Sequence, residues 1–574
     1  MSKDWRNIRN GKPIPREQYT DQPYVAVADD GTWVCVLTTA SGHEGSAGEH
    51  IGITRSKDMG ESWTPLYFLE ASDTPESAYG VLLKIPNGRI YCFYNFNKDN
   101  VREVICRSEH LNHRVDMQGY LVFRYSDDCG VTWSDRYEIP VRESKIDREN
   151  PYGGKLRMFW TVSKPFIRQG TGYVVIHKIG DMLTISEGWM VACENICTET
   201  DPKKLRWQTL PDSDVGLITP FGGGLIAEEQ SMCVLSDGSI YCVYRSIDGH
   251  PVDCYSRDGG HTWEQPKYKQ YDDLRLFRHP RAANFVWKCE NGRYLYWYHN
   301  NGGRTYVNRN PVFVSMGIEG DSEKGKYIRW SQPEILLYDD DPHIRMSYPD
   351  LIQDKGRFFI TETQKVDARV HEIPKVFVDK LWEQFDIDEK CDRELVGESV
   401  GDTYMVMPKL QMLSMADSSL SAFATVNKET GFTLEFWLHM EDRNQILFDS
   451  RKDGKGILVE EMKYGTVRIF INDGLSEASW TCDEGMLKGE GIHHIAIIAD
   501  GAARIISYII DGKYNDGGTQ REFGFGRFSP YFRDVNGNDT AVISRSVRRL
   551  RIYGTALMTT EVIGNGRYFG KFMK

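Results

Sequence analysis

Six stretches of this chain share one pattern: an apolar run, a short polar turn carrying glycine, and a second apolar run. The runs begin at Tyr24, Val81, Pro165, Met232, Phe285 and Leu351. They break at Asp30-Gly31, Asn87-Gly88, Gly172, Asp237-Gly238, Asn291-Gly292 and Lys355-Gly356, and resume at Trp33, Tyr91, Val175, Tyr241, Tyr296 and Ile360. Apolar runs flanking Asp-Gly or Asn-Gly predict β-hairpins with type I′ turns, in which both central residues take positive φ. A second signature follows three of these hairpins: Ser56-x-Asp58-x-Gly60-x-Ser62-Trp63, Ser126-x-Asp128-x-Gly130-x-Thr132-Trp133 and Ser256-x-Asp258-x-Gly260-x-Thr262-Trp263. Only its tail survives at Trp207 and at Trp330-Ser331-Gln332-Pro333. The physical reading is a tight turn, in which Asp accepts turn amides, Gly takes the left-handed position and Trp packs between sheets. These aspartates are therefore read as structural, neither catalytic nor calcium ligands.

The unit recurs at a period of about 50 to 85 residues. Four-stranded units that cannot cover their own apolar faces bury them by stacking radially, so six of them predict an all-β, six-bladed β-propeller over residues 1–385. Pro374, Val376, Phe377, Leu381, Trp382 and Phe385 predict a short helix at its end, and a charged stretch then reads as a linker over 386–410. Beyond it the period is two again: Phe432, Leu434, Phe436 and Leu438 alternate with Thr433, Glu435, Trp437 and His439, which predicts a half-buried strand. Further strands are expected at 445–450, 466–471, 494–499 and 505–510, giving a β-sandwich over 411–574.

At 574 residues the chain exceeds one hydrophobic core, in keeping with two domains. A net charge of −12 disfavours nucleic acid or an anionic membrane as partner, and an anionic small substrate needs a locally positive pocket. No apolar run of about 18 residues exists, and Met-Ser-Lys-Asp-Trp lacks the apolar core of a signal peptide. The expectation is a cytoplasmic protein as given, or a secreted or periplasmic one had a leader been removed. The 12 cysteines have neither redox nor zinc spacing and read as reduced and mostly buried. His110 and His113 read as a surface loop, and no metal or organic cofactor is expected.

The three Ser-x-Asp-x-Gly turns resemble the Asp boxes of the sialidase superfamily, over residues 15 to 370. The resemblance implies an exo-acting, retaining glycoside hydrolase whose pocket lies on the propeller axis. In exo-sialidases a glutamate opens an inner strand ahead of its Asp-Gly turn and an arginine follows in the returning strand, which implies those roles for Glu229 and Arg245. Ser347-Tyr348-Pro349-Asp350-Leu351 is similar to the segment holding their nucleophilic tyrosine. That implies Tyr348 as nucleophile, Glu229 as its base and Asp350 as a substrate-side residue, since a phenol of pKa near 10 attacks only with help. The family's acid precedes the first Asp box by an interval that leads here to Glu44, beside His43, in Gly42-His43-Glu44-Gly45; Glu49 competes for the role.

Sialidases clamp a carboxylate with three arginines. Arg245 and Arg309 resemble two of them. The third position reads Asp21-Gln22-Pro23, so that arginine is absent and Asp21 stands at the substrate; Arg16, Arg278, Arg281 or Arg345 would have to replace it in another geometry. A tyrosine nucleophile suits a substrate whose own carboxylate repels a carboxylate nucleophile, so the resemblance implies a sialic-acid-like, other ulosonic or uronic sugar at the end of a glycan. The competing readings are a non-catalytic glycan-binding propeller and a propeller glycosidase for a non-sialyl sugar. The order Phe432 to Trp437, His493 to Ala496, Tyr508 to Lys513 and Leu550 to Leu557 is similar to a laminin-G or concanavalin A-like domain.

Overall fold

The computed structural model of this chain describes residues 4–71, 73–106, 111–414, 430–441, 444–489 and 491–573. His110 of the His-x-x-His pair lies outside them; His113 faces Glu103 at 3.1 Å.

Six antiparallel sheets of four or five strands follow one another along the chain. Their innermost strands are Tyr19–Val27, Ser77–Lys84, Phe166–Arg168 leading into Thr171–Asp181, Glu228–Val234, Phe285–Lys288 and Leu351–Asp354. Hydrogen bonds carry the ring from blade to blade. Tyr79 N–H donates to Thr38 Oγ1 and Thr161 Oγ1 to the Tyr79 carbonyl; Ser163 Oγ donates to the Gln230 carbonyl and Val286 N–H to Ser231 Oγ. Glu290 N–H then reaches Gln353 Oε1, and Thr361 Oγ1 reaches the Pro23 carbonyl, so blade six meets blade one. The sixth sheet takes its outermost strand, Lys12–Pro13, from the start of the chain, where it pairs with Val370 and Arg369. The fold is thus a closed six-bladed propeller, and strands such as Ile90–Phe96 are buried on both faces because each sheet is covered by its neighbours.

The turns differ in part from the type I′ expectation. In blade three the turn falls at Gln169-Gly170 and not at Gly172, which lies within the strand Thr171–Asp181; there and at Lys355-Gly356 both residues have positive φ. At Asp30-Gly31, Asn87-Gly88, Asp237-Gly238 and Asn291-Gly292 only the glycine does. There the glycine N–H closes on the residue three before it, as Gly31 does on Ala28, which is the bulged pattern of a longer hairpin loop. The Ser-x-Asp-x-Gly turns are built as read. Asp58 accepts from Ser56 Oγ at 2.7 Å and Ser62 N–H at 2.8 Å, while Gly60 N–H donates to Ser56 Oγ at 2.8 Å. The turns at Asp128 and Asp258 repeat these bonds.

After the helix Lys375–Trp382 the chain forms two facing sheets. Phe432, Leu434, Phe436 and Leu438 on one meet Leu447, Val459, Ile469 and Ile471 on the other in a shared core. The stretch 386–410 is not only a linker. Leu395–Val400 pairs with Val547–Tyr553 and Tyr404–Val406 with Thr540–Ile543, so two strands of the sandwich are drawn from a segment whose charge masked a half-exposed edge alternation. Nor is Gly431–His439 half-buried. Its polar face carries Glu435, which accepts from Tyr553 Oη at 2.9 Å and Asn565 Nδ2 at 2.8 Å beneath the helix Thr559–Gly570. The sandwich also shares a core with blades four and five, where Ile498, Ile505 and Ile509 join Tyr296, Phe313 and Trp330. Among the described residues no helix is long and apolar enough to cross a membrane. All twelve cysteines are unpaired, with Cys129, Cys197 and Cys391 part-exposed and the others buried.

Candidate active site

Four residues that open inner strands share a backbone irregularity. Gln22, Tyr79, Glu229 and Tyr348 have φ of 54°, 61°, 58° and 46°. In blades one, two and four the pairing register shifts at that point, between Asp21 and Tyr24, Ala78 and Val81, and Glu228 and Ser231, so these are β-bulges. A left-handed conformation costs a residue with Cβ about 1–2 kcal/mol. Such strain persists where surrounding structure enforces it, and it clusters at functional sites. The bulges break the strand alternation and turn selected side chains across the axis. Gln22 Nε2 in blade one reaches the Thr161 carbonyl beside blade three at 2.7 Å.

Tyr348 and Glu229 meet in the same way. They come from blades six and four, which are not neighbours, yet Tyr348 Oη donates to Glu229 Oε1 at 2.8 Å. Both are buried. Burial raises the Tyr348 phenol above its ordinary range, and Glu229 adds to this while Lys365 and Arg245 oppose it. A standing tyrosinate is therefore disfavoured, and any attack by Oη transfers its proton to Glu229 as the new bond forms.

Arg245 lies across Glu229, with Nη1 2.8 Å from Oε2, and its Nη2 is 2.6 Å from Glu228 Oε2. Arg281 reaches the other Glu228 oxygen at 3.1 Å. Despite burial, these two guanidinium groups hold Glu228 at about 2. Arg309 differs. It is 6% exposed, its Nη1 donates to Ser347 Oγ at 2.6 Å, its Nε has no partner, and it makes no ion pair among the described residues. A buried cation without a carboxylate is costly, and an incoming anion relieves that cost.

Lys365, in the loop between Arg357–Thr363 and Ala368–Ile373 of blade six, supplies another cation. Its Nζ lies 4.4 Å from the Tyr348 ring centroid, 2.5 Å from Asp21 Oδ2 and 3.3 Å from Glu44 Oε2. Burial pushes Asp21 up to about 6, against the pull of Lys365. Burial acts the same way on Glu44, but Lys365 and Arg114 outweigh it and hold that carboxyl at about 2. Glu44 is the exposed member, with 37% of its side chain accessible, whereas Glu49 is buried and accepts from Gly45 N–H.

The structure therefore brings together Tyr348, Glu229, Arg245 and Arg309, with Asp21 and Glu44 joined to them through Lys365. It does not bring in Asp350 or His43. The Asp350 carboxylate is buried, with Lys164 Nζ at 2.7 Å and Val25 N–H at 2.8 Å both on Oδ2, so it is tied to other strands and not to the Tyr348–Glu229 group. His43 lies on the exposed loop and uses its backbone on Ser46. Asp21 is also closed to a ligand, since Lys365 and Tyr19 Oη occupy its carboxylate. Of the replacement arginines, Arg281 is at the site but committed to Glu228; Arg16 pairs with Asp367, Arg278 donates to the Arg521 carbonyl, and Arg345 lies 6.0 Å from the Tyr306 ring. Sequence reasoning missed Lys365, Arg114, Glu228 and His177. Only Glu228 left a trace, as the acid next to Glu229.

His177 packs edge-on against Trp160 at 4.2 Å and accepts the Glu229 N–H at 3.4 Å, supporting the bulge. Burial holds it at about 3, while an unfolded chain protonates near 6.5. Between those values the unfolded state binds one proton more, so stability rises with pH through this window by up to about 1.4 kcal/mol per unit. His177→Gln is expected to lose that part of the slope in denaturant unfolding at pH 6.5, 5 and 4. A slope equal to that of the parent protein contradicts a neutral buried imidazole.

No family model matches this sequence, and no curated protein sequence matches it. Solved structures similar to it include Trypanosoma rangeli sialidase in complex with the inhibitor DANA, at 12% identity over 98% of this chain and 96% of that one, with a TM-score of 0.44. The leech intramolecular trans-sialidase complexed with 2,7-anhydro-Neu5Ac is 12% identical over 64% of this chain and 70% of that one, with a TM-score of 0.45. The intramolecular trans-sialidase from Ruminococcus gnavus in complex with oseltamivir carboxylate is 13% identical over 63% and 96%, with a TM-score of 0.44.

Proposed function

We propose that this protein is a sialidase-like exo-glycoside hydrolase that removes a terminal acidic sugar with retention of configuration. The observation that carries the reading is the Tyr348–Glu229 hydrogen bond, made across the axis by two residues with left-handed backbone, beside the buried and unpaired Arg309. Tyr348 Oη attacks the anomeric carbon, Glu229 takes the phenolic proton, and the glycosidic C–O bond breaks as the Tyr–sugar bond forms. Glu44, the accessible carboxyl on this rim, protonates the leaving oxygen once the bound substrate draws Lys365 and Arg114 away from it and lifts it from about 2, and it later deprotonates the water that releases the sugar. Arg309, with Arg245, holds the sugar's acid group. The sandwich reads as a concanavalin A-like domain fused to this enzyme, and it begins with the strand Leu395–Val400.

The test is hydrolysis of a panel of 4-methylumbelliferyl glycosides: N-acetylneuraminic acid, a deaminated ulosonic acid, glucuronic acid, galacturonic acid and neutral sugars. Turnover confined to acidic members supports the proposal; turnover of neutral members alone, or none at all, overturns it. Measured as kcat/KM, which reports the first bond-breaking step and not the later attack of water, Glu44→Gln is expected to leave substrates with good phenol leaving groups close to the parent value. It should slow alkyl glycosides about 10²–10⁴-fold, because only those need the proton. Equal losses on both assign the acid elsewhere.

A further inference from the structure

Arg309 sits on the loop between Tyr294–Tyr298 and Val312–Ser322 of blade five, and that loop is held from outside the propeller. Its neck is closed by Asn301, whose Nδ2 donates to the His299 carbonyl at 2.8 Å and the Asn308 carbonyl at 2.9 Å. Beyond the neck one segment of the sandwich holds it, alongside two propeller contacts in which Asn310 Nδ2 donates to the Asp339 and Asp341 carbonyls at 2.9 and 2.8 Å. Gly302 N–H donates to the Glu522 carbonyl at 2.8 Å, and Asn301 forms an antiparallel bridge with Phe523. Asn308 Nδ2 donates to Glu522 Oε1 at 2.7 Å, and Arg527 Nη2 donates to the Asn310 carbonyl at 2.5 Å. From the adjoining blade-four connection, Arg278 Nη2 donates to the Arg521 carbonyl at 2.8 Å.

The residues immediately before and after Arg309 are thus each gripped by a sandwich side chain, Asn308 by Glu522 and Asn310 by Arg527. Asn308 is also left-handed, with φ of 61°, a conformation that needs such support. A guanidinium that binds an acid group through a fixed fork depends on where its Cα is held, and a shift of about 1 Å is enough to lose most of the benefit.

We propose that Glu522 and Arg527 of the sandwich are positioning residues for the acid-binding arginine, so that the second domain completes the substrate subsite although neither residue touches substrate. This rests on the reading of Arg309 as the acid-group ligand. It gives the sandwich a role in catalysis that needs no glycan bound to the sandwich itself.

The test uses the full chain and whichever acidic 4-methylumbelliferyl glycoside the parent protein turns over. Glu522→Ala is expected to raise KM about tenfold with kcat within about twofold, because the subsite is displaced while Tyr348 and Glu229 are untouched. Glu522→Gln, which keeps the Oε1 acceptor, should restore the parent KM. Asn308→Ala should match Glu522→Ala, and the double variant should be no worse than either alone. Should Glu522→Ala fail to fold, Asn308→Ala and Arg527→Lys carry the same readout. An unchanged KM in Glu522→Ala and Asn308→Ala, together with a raised KM in Arg309→Ala, overturns the positioning role and leaves the function intact. An unchanged KM in Arg309→Ala, or no turnover of any acidic glycoside, removes the acid-binding reading and this proposal with it.

Discussion

Tyr348→Phe is expected to abolish turnover, with kcat down at least about a thousandfold, or roughly 4 kcal/mol of transition-state stabilisation. One oxygen is lost, and with it the atom that bonds to the sugar. The fold has little reason to change. The ring still packs near Phe285 at 6.4 Å, Lys365 still lies over its face, and Glu229 keeps Arg245 as partner. A denaturation midpoint within about 1 kcal/mol of the parent is therefore the expected companion result. Binding of an acidic inhibitor should survive, because the acid group is held by arginines. Intact turnover in Tyr348→Phe excludes the phenol as nucleophile, and a non-catalytic glycan-binding propeller predicts silence in both proteins.

Glu228→Ala has the largest expected effect on stability. Glu228 is 1% exposed, and its two oxygens neutralise Arg245 and Arg281. Removing it strands Arg281 and leaves the buried Arg245 with Glu229 alone, a loss of about 3–5 kcal/mol. Glu228→Ala with Arg281→Leu should recover part of this by removing one stranded cation, and denaturant unfolding of the two variants makes the comparison. The acid limb has a defined sign. Glu228 is held at about 2 in the folded protein, against about 4.3 when unfolded. Its contribution is complete above the unfolded value and is lost as pH falls from there through about 2. A single variant no less stable than the parent contradicts the pairing.

The architecture was legible because it repeats. Glycine-bearing turns between apolar runs recur six times, and the Ser-x-Asp-x-Gly turn recurs three times, so errors at one blade are corrected at the next. Tyr348, Glu229, Arg245 and Arg309 were singled out through the resemblance to sialidases, which ties each to a fixed place relative to a strand. What escaped was set by distance in the chain. Nothing near Lys365 signals that Asp21, 344 residues away, needs a cation, nor does anything near Asp350 announce Lys164. Asp350 was misplaced because a Ser-Tyr-Pro-Asp-Leu string shows adjacency but not which end of the axis each side chain joins. The strands at Leu395–Val400 and Tyr404–Val406 were hidden by charge, because exposed edges tolerate polar residues that inner strands do not.

The strand Lys12–Pro13, outermost in the sixth sheet, bears on the order of events during synthesis. Translation delivers it ahead of all six inner strands, yet its partner, Ala368–Ile373, emerges from the ribosome only after five other blades. Until then the nascent ring stays unlatched, Lys12–Pro13 has no strand to pair with, and the first blade keeps one face uncovered by a neighbour. Removing the opening residues would leave that latch open for the life of the molecule.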